Sequence, residues 1–135
     1  MMITKKHTLF SLGIITTTII LFTSFDSQDV RTTINNAIKN GNAGQLASHF
    51  NSTVEMSVLG NEGYFSKSQA TSVLSEFFKN NPPQSFDVKQ GGSTTENTKF
   101  SIGNYKTNAG LFKIYYVVKK ENNTELIHKF TIEKK

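Results

Sequence analysis

Apolar residues recur at helical spacing in three stretches of the chain. The first stretch predicts a helix that begins at Val30, runs to about residue 40 and is ended by Gly41. Asn42 can cap a second, short helix, and Ser66 can cap a third, which continues until two prolines follow Asn81. All three predicted helices lie in the N-terminal half of the domain.

Between and after these helices the apolar period changes to two, which is typical of strands with one buried face. Val54, Met56 and Val58 predict one strand, and residues 64–65 predict a very short returning strand. Four further strands are predicted after the third helix, and the longest covers residues 111–120.

Alternation also predicts which side chains of the later strands face the helices. In the longest strand the predicted inward residues are Phe112, Ile114, Tyr116 and Val118. In the final strand they are Leu126, His128, Phe130 and Ile132, with Ile127 facing outward. In the strand before the longest one, Asn104 is assigned to the inward face and Tyr105 to the outward face.

The predicted element order is α-α-β-β-α-β-β-β-β, which indicates an α+β fold with three helices packed on one face of an antiparallel sheet. Because the sheet must wrap around the helices, we expect it to be strongly bent, and Gly103 is a candidate position for a bend or bulge. Residues 28–135 are predicted to form this single domain.

Residues 1–27 are predicted to be a signal peptide. Lys5 and Lys6 precede an uncharged apolar run from Leu9 to Phe22, which is the pattern of a secretory signal. The run is short for a bilayer-spanning helix, which needs about 20 residues. An uncleaved membrane anchor is the alternative interpretation. The signal predicts an exported protein, either periplasmic or secreted.

Composition excludes several classes of function. The chain contains no cysteine, so disulfides, thiolate catalysis and thiolate metal sites are excluded. Its formal charge is +5, but the lysines are spread along the chain and Arg31 is the only arginine, so we expect no binding to nucleic acid. The sequence has no phosphate-binding loop, serine-centred elbow or metal-ligand motif, and we expect neither a cofactor nor a metal.

The element order and several segments together resemble a known family. The segments are residues 37–43, 49–55, 77–83, 91–93 and 132–134. With them the chain resembles a family of small exported bacterial domains of unknown function within the nuclear transport factor 2 superfamily, whose fold is cone-shaped and cystatin-like. The resemblance implies this fold and export, but no activity, because the superfamily includes enzymes, ligand binders and interaction modules.

Three polar side chains are predicted to face the interior of the cone, the space between the sheet and the helices. Asn104 and Tyr116 could offer hydrogen bonds to a ligand, and His128 could join them as a ligand-binding residue. His128 could instead serve as a general base with Tyr116 beside it. Each residue also has a structural interpretation, as a buried polar group that bonds the backbone, a sheet edge or a water.

Two functional hypotheses follow from these observations. The favoured one is a non-enzymatic exported module that binds a small apolar ligand in the cone or a protein partner on the outer sheet face. Tyr105, Tyr115 and Val117 are the outward apolar residues predicted for that face, and superfamily analogy implies a homodimer through it. The alternative is a small lyase or isomerase that uses His128 with Tyr116. An uncleaved N-terminal segment would make the protein a membrane-tethered accessory domain.

The signal-peptide interpretation predicts that the exported protein lacks the N-terminal segment. Intact-mass measurement of protein recovered outside the cytoplasm should give a chain that begins near residue 28, because signal peptidase removes the apolar segment. A mass that includes Met1 would show that the segment is retained as an anchor.

Overall fold

The computed structural model describes residues 28–135, so the predicted signal segment, residues 1–27, lies outside the described residues. The elements along the chain are α1 (Val30–Lys39), α2 (Ala43–Ala47), β1 (Phe50–Val58), β2 (Asn61–Ser66), α3 (Lys67–Asn80), β3 (Ser85–Thr95), β4 (Thr98–Thr107), β5 (Gly110–Glu121) and β6 (Thr124–Lys134). The predicted α+β class and element order are therefore confirmed. Within this part of the chain no helix is both long and apolar enough to span a membrane.

The helices begin where the sequence predicts, and α1 and α3 also end there. The side chains of Asp29 and Asn42 each accept a hydrogen bond from a backbone N–H in the first turn of their helix. Ser66 and Gln69 form a reciprocal capping box at the start of α3. Gly41 has a φ of +62°, the left-handed conformation that ends α1 and that glycine adopts without strain.

All six strands form one sheet in the order β2-β1-β6-β5-β4-β3. Four neighbouring pairs are antiparallel, but β1 and β6 run parallel, so the prediction of a purely antiparallel sheet was wrong for this pair. The reason is that β1 and β6 are not joined by a hairpin. The chain passes through β2, α3 and three strands before β6 returns beside β1, and such a long crossover permits a parallel pair.

One face of the sheet, called here the inner face, packs against the helices. Its side chains in β1 and β5 are the ones that alternation predicts, and all are buried: Val54, Met56, Val58, Phe112, Ile114, Tyr116 and Val118. The helices bury an apolar stripe against them: Ile34, Ala37, Ile38, Leu46, Ala70, Leu74, Phe77 and Phe78. Burial of this apolar surface provides the main stabilisation of the fold, at about 25 cal/mol per Å² removed from water.

A β-bulge in β6 changes the predicted orientation of its first residues. Val117 of β5 pairs with Lys129, whereas the next residue, Val118, pairs with Ile127, so His128 is the additional residue of the bulge. Ile127 consequently faces inward and is fully buried, while Leu126 and His128 are only partly buried. The prediction that Leu126 and His128 face inward with Ile127 outward was therefore wrong.

Strand β4 also presents the opposite face to the one predicted. Tyr105 pairs with Phe112 and is fully buried, and its hydroxyl donates to the Asn81 carbonyl oxygen at 2.5 Å. Asn104 pairs with Lys113 on the outer face, because residues directly opposite each other share a face. The apolar residues on both faces of β4 made the choice of face ambiguous from sequence.

Gly103 lies on the inner face, directly beneath the Phe86 ring. A Cβ atom at this position would lie 2.5 Å from Phe86 Cε2 and 2.9 Å from the Asp87 carbonyl oxygen. The pairing of β3 with β4 shifts register beside Gly103, between Val88 and Gln90. The predicted irregularity at Gly103 thus coincides with a bulge in the facing strand.

A two-residue turn joins β1 to β2 and contains an unusual leucine. Leu59 and Gly60 have φ values of +51° and +87°, and Val58 pairs with Asn61 across them. Two positive φ values are characteristic of a type I′ turn, where asparagine and glycine are preferred because a bulky Cβ is strained. The Leu59 side chain is nevertheless 52% exposed, so its apolar surface is not used in the core.

Replacing Gly103 should destabilise the protein because a methyl group has no room beneath Phe86. We expect Gly103→Ala to lower the free energy of unfolding by about 1–3 kcal/mol, measured by urea denaturation. Gly44→Ala is the matched control, since its Cβ would meet only Asn42 Oδ1 at 3.7 Å. That variant should be unchanged or more stable by up to about 1 kcal/mol. Equal effects of the two substitutions would contradict the packing described for Gly103.

Replacing Leu59 by asparagine should stabilise the folded protein. Leu59→Asn gives the turn its preferred Asn-Gly sequence, and we expect the free energy of unfolding to rise by about 0.5–1 kcal/mol. Leu59→Ala keeps the strained backbone without the side chain, and should change stability by less than about 0.5 kcal/mol. A loss of stability in Leu59→Asn would mean that the leucine side chain contributes to the core.

Candidate functional site

Tyr116 is the one predicted site residue that faces the interior of the cone. It is fully buried, and its hydroxyl lies 2.6 Å from Asn35 Oδ1 and 3.4 Å from the Arg31 carbonyl oxygen. Burial raises the pKa of Tyr116 to about 12, so the phenol is neutral at physiological pH. Its one O–H donor is already used by α1, which gives Tyr116 a structural role within the core.

The other two predicted site residues do not meet Tyr116. Asn104 lies on the outer face and accepts a hydrogen bond from Lys135 Nζ at 3.0 Å. His128 lies in the β6 bulge, where its Nε2 is 4.0 Å from Oε1 of the exposed Glu121. The structure therefore brings none of the three predicted site residues together. Their separation follows from the two changes of strand face described above.

Buried aromatic side chains pack together in the interior of the cone. Four aromatic rings contact one another at its α3 end, with centroid separations of 5.3–6.3 Å, and belong to Phe77, Phe78, Tyr105 and Phe112. Among residues 28–135 no buried side-chain nitrogen or oxygen lacks a hydrogen-bond partner. Tyr116 lines none of five surface depressions on the described chain. Packing of this kind stabilises a core.

Arg31 links α1 to the sheet by hydrogen bonds. Its guanidinium donates to both carboxylate oxygens of Asp29 and, through Nη1, to the carbonyl oxygen of Phe100 at 3.1 Å. The hydrogen bond from Arg31 lowers the pKa of Asp29. Sequence reasoning noted Arg31 only as the sole arginine and missed this contact, because the partner is a backbone carbonyl almost 70 positions away.

The exposed apolar side chains concentrate on the β1–β2 hairpin, a site that sequence reasoning missed. Within the described residues three large apolar side chains are exposed, and two of them, Leu59 and Tyr64, belong to this hairpin. Tyr64 is 77% exposed and pairs with Glu55 on the outer face of the sheet. The available sequence signal was a leucine at a turn position that favours asparagine.

Two depressions flank the hairpin and share Glu133. The first, about 460 Å³, lies on the outer face across β2, β1 and β6, and its lining includes Tyr64 and Lys129. The second, about 540 Å³, lies at the turn and is lined by Leu59, Gly60, Asn81, Phe112, Ile132, Glu133 and Lys134. The hairpin and the two depressions beside it are called here the hairpin surface.

The first depression is acidic although the chain as a whole is basic. Its lining contains three carboxylates, of Glu55, Glu62 and Glu133, and one ammonium group, of Lys129. Lys129 forms an ion pair with Glu55 at 3.2 Å. The formal charge of the whole chain, by contrast with this depression, is +5. Within residues 28–135 no group of three His, Cys, Asp or Glu side chains is arranged to hold a metal ion. The excess of carboxylates gives the depression a negative charge, which attracts cationic groups.

An apolar strip continues the hairpin surface towards β4. Tyr115 and Val117 lie on the outer face as predicted, whereas Tyr105, the third residue predicted there, is buried in the core. Ile102 pairs with Tyr115, and Phe100 pairs with Val117. These four side chains are half-buried against one another, and across the sheet Tyr115 and Val117 pair with Thr131 and Lys129 of the first depression.

Comparison with known proteins adds a family and a fold. The profile of a family described as a domain of unknown function, DUF4783, matches residues 31–133. No curated protein matches the sequence. The crystal structure of a DUF4783 family protein from Bacteroides uniformis is 26% identical, with a TM-score of 0.75 over 79% of this chain and 98% of that one.

Two more distant structures support the fold alone. A domain of unknown function with a cystatin-like fold from Nostoc punctiforme is 13% identical, with a TM-score of 0.60 over 78% of this chain and 72% of that one. An NTF-2 like protein of unknown function from Silicibacter pomeroyi is 10% identical, with a TM-score of 0.58 over 78% and 90% of the two chains. These findings confirm the resemblance read from the sequence. The chain belongs to the DUF4783 family of domains of unknown function, and its fold is that of cystatin-like and nuclear transport factor 2-like proteins.

Proposed function

We propose that the protein is a non-enzymatic, exported binding module that recognises a protein partner through its hairpin surface. The observation that carries the proposal is the placement of Leu59 and Tyr64. Both are exposed apolar side chains, they lie on one hairpin, and two depressions that share Glu133 adjoin them. Apolar side chains beside concave surface are typical of protein interaction sites.

The backbone at Leu59 supports a functional rather than a structural role for this residue. A non-glycine residue in the left-handed region is less stable by about 1–2 kcal/mol than in its preferred conformation. Burial offsets this only in part, since half of the Leu59 surface is exposed. Backbone strain at an exposed residue is often found at binding sites.

The packed interior favours a protein partner over the small apolar ligand that the sequence also allowed. Tyr116 is fully buried and is already hydrogen-bonded to α1. The alternative of a lyase or isomerase requires His128 beside Tyr116 inside the cone. His128 instead lies beside Glu121 in the β6 bulge, so no observation favours this alternative.

Export is part of the proposal and rests on the N-terminal sequence. Lys5 and Lys6 followed by the apolar run Leu9–Phe22 are typical of a secretory signal. The partner would then be another periplasmic or extracellular protein, or a second copy of this chain. A domain with no cysteine that acts outside the cytoplasm depends on its core alone for stability, which agrees with the dense packing described above.

Photo-crosslinking in the cells that produce the protein tests the proposal. With p-benzoylphenylalanine in place of Tyr64, irradiation should yield a discrete adduct, because a bound partner covers this position. The same substitution at Ser72, on the exposed side of α3, is the control and should yield none. Mass spectrometry identifies the partner, and an adduct of twice the monomer mass identifies a homodimer. No adduct at position 64 beyond that at position 72 would overturn the proposal.

A further inference from the structure

The sheet has two free edges, and only one of them is protected. β3 forms one edge and pairs only with β4, while β2 forms the other and pairs only with β1. A free edge presents unpaired backbone N–H and C=O groups to any extended segment that approaches it. Proteins normally protect such an edge with bulges, lysine or proline.

β3 carries such protection. Its register with β4 shifts between Val88 and Gln90, which makes Lys89 the additional residue of a bulge. A second shift follows between Ser93 and Thr95. These irregularities place a lysine in the middle of the edge and interrupt the regular backbone that a further strand would need.

β2 carries none of these features. All six of its residues, Asn61–Ser66, pair with β1 in unbroken register, and its sequence contains no lysine and no proline. Four of the six residues are exposed: Asn61, Glu62, Tyr64 and Ser66. The Ser66 N–H already donates to Gln69 Oε1, so the free edge covers residues 61–65. At about 3.3 Å per residue this edge is about 17 Å long, which is sufficient to pair with a peptide of about five residues.

We propose that the edge of β2 accepts an extended segment of the partner as a seventh strand, and that this segment carries a cationic side chain on the outer face. This inference rests on the proposed function and names the form and charge of the partner. Main-chain hydrogen bonds supply affinity in such strand addition, and pockets for alternate side chains supply specificity.

The outer face next to β2 determines the charge of the segment. Glu62 and Tyr64 point to this face, in register with Ser57 and Glu55. The ion pairs of Glu55 and Glu133 are made with Lys129 and Lys113, at 3.2 and 2.9 Å. Among the described residues Glu62 accepts only a long hydrogen bond, from Ser57 Oγ at 3.4 Å. A cation on an added strand would therefore lie beside a carboxylate and an exposed aromatic ring.

A peptide titration tests the inference. The probe is the capped hexapeptide acetyl-Thr-Arg-Val-Arg-Val-Thr-amide, and the readout is the set of amide chemical shifts of the isotope-labelled protein. We expect saturable shifts that are largest at residues 61–66, because these amides would form or adjoin the new ladder. An analogue with citrulline for arginine keeps the shape and removes the charge, and should bind about tenfold more weakly.

Two further analogues test whether the peptide backbone pairs with the edge. Each has every second peptide nitrogen methylated, in one phase or the other. Because a strand pairs through one edge only, one analogue should lose binding and the other should keep it. Equal binding of both, or shifts that are largest outside residues 61–66, would overturn the inference.

A protein variant provides the matched comparison. Glu62→Lys places a lysine on the β2 edge and reverses the charge, and should weaken binding of the arginine peptide by at least about tenfold. Glu96→Lys makes the same charge change at an exposed position in the β3–β4 turn and should leave binding unchanged. If both variants bound the peptide equally weakly, the net charge of the protein would explain the effect, and the inference would be overturned. If the Tyr64 crosslink forms while the peptide fails to bind, strand addition is wrong and the proposed function stands.

Discussion

The structure depends on covering one face of a six-stranded sheet with only three helices. The helices contain 10, 5 and 14 residues, whereas three of the strands contain 11 or 12. A flat sheet of this size would leave much of its apolar face in water, so the sheet must curve around the helices. The register shifts in the β1–β6, β3–β4 and β5–β6 pairs are the local irregularities that permit this curvature.

The same irregularities limit what could be predicted from sequence. Helices were predictable because caps such as Asn42 and Ser66 are local signals. Strand β5 was predictable because it alternates without interruption. His128 was misplaced because a bulge adds one residue and reverses alternation beyond it, and nothing in the local sequence marks that residue. The parallel pairing of β1 with β6 depends on strands more than 60 positions apart and has no local signal either.

The residues of the candidate site were likewise predictable only in part. Tyr116 was correctly predicted to face inward. The sequence could not show that its hydroxyl donates to Asn35 Oδ1 and to the Arg31 carbonyl oxygen. Asn104 and Tyr105 were each assigned to the wrong face of the sheet. Because β4 has apolar residues on both faces, its sequence pattern does not show which face is buried. Leu59 had a usable signal, since leucine before glycine in a two-residue hairpin turn contradicts the usual turn preference. The sequence did not show that Tyr64, on the same hairpin, is exposed as well.

A packed core and an exposed hairpin suit a binding role in which the surface is preorganised. β1 lies between β2 and β6, and the Leu59 amide donates to the Ile132 carbonyl oxygen at 3.0 Å, so the turn is tied to a buried strand. Both termini of β2 are also held, by this turn and by the capping box of α3. Leu59 and Tyr64 are therefore presented by an ordered backbone, which would lose less conformational entropy on binding a partner than a mobile loop would. The packing that buries β1 and β6 is thus also what holds the hairpin in place.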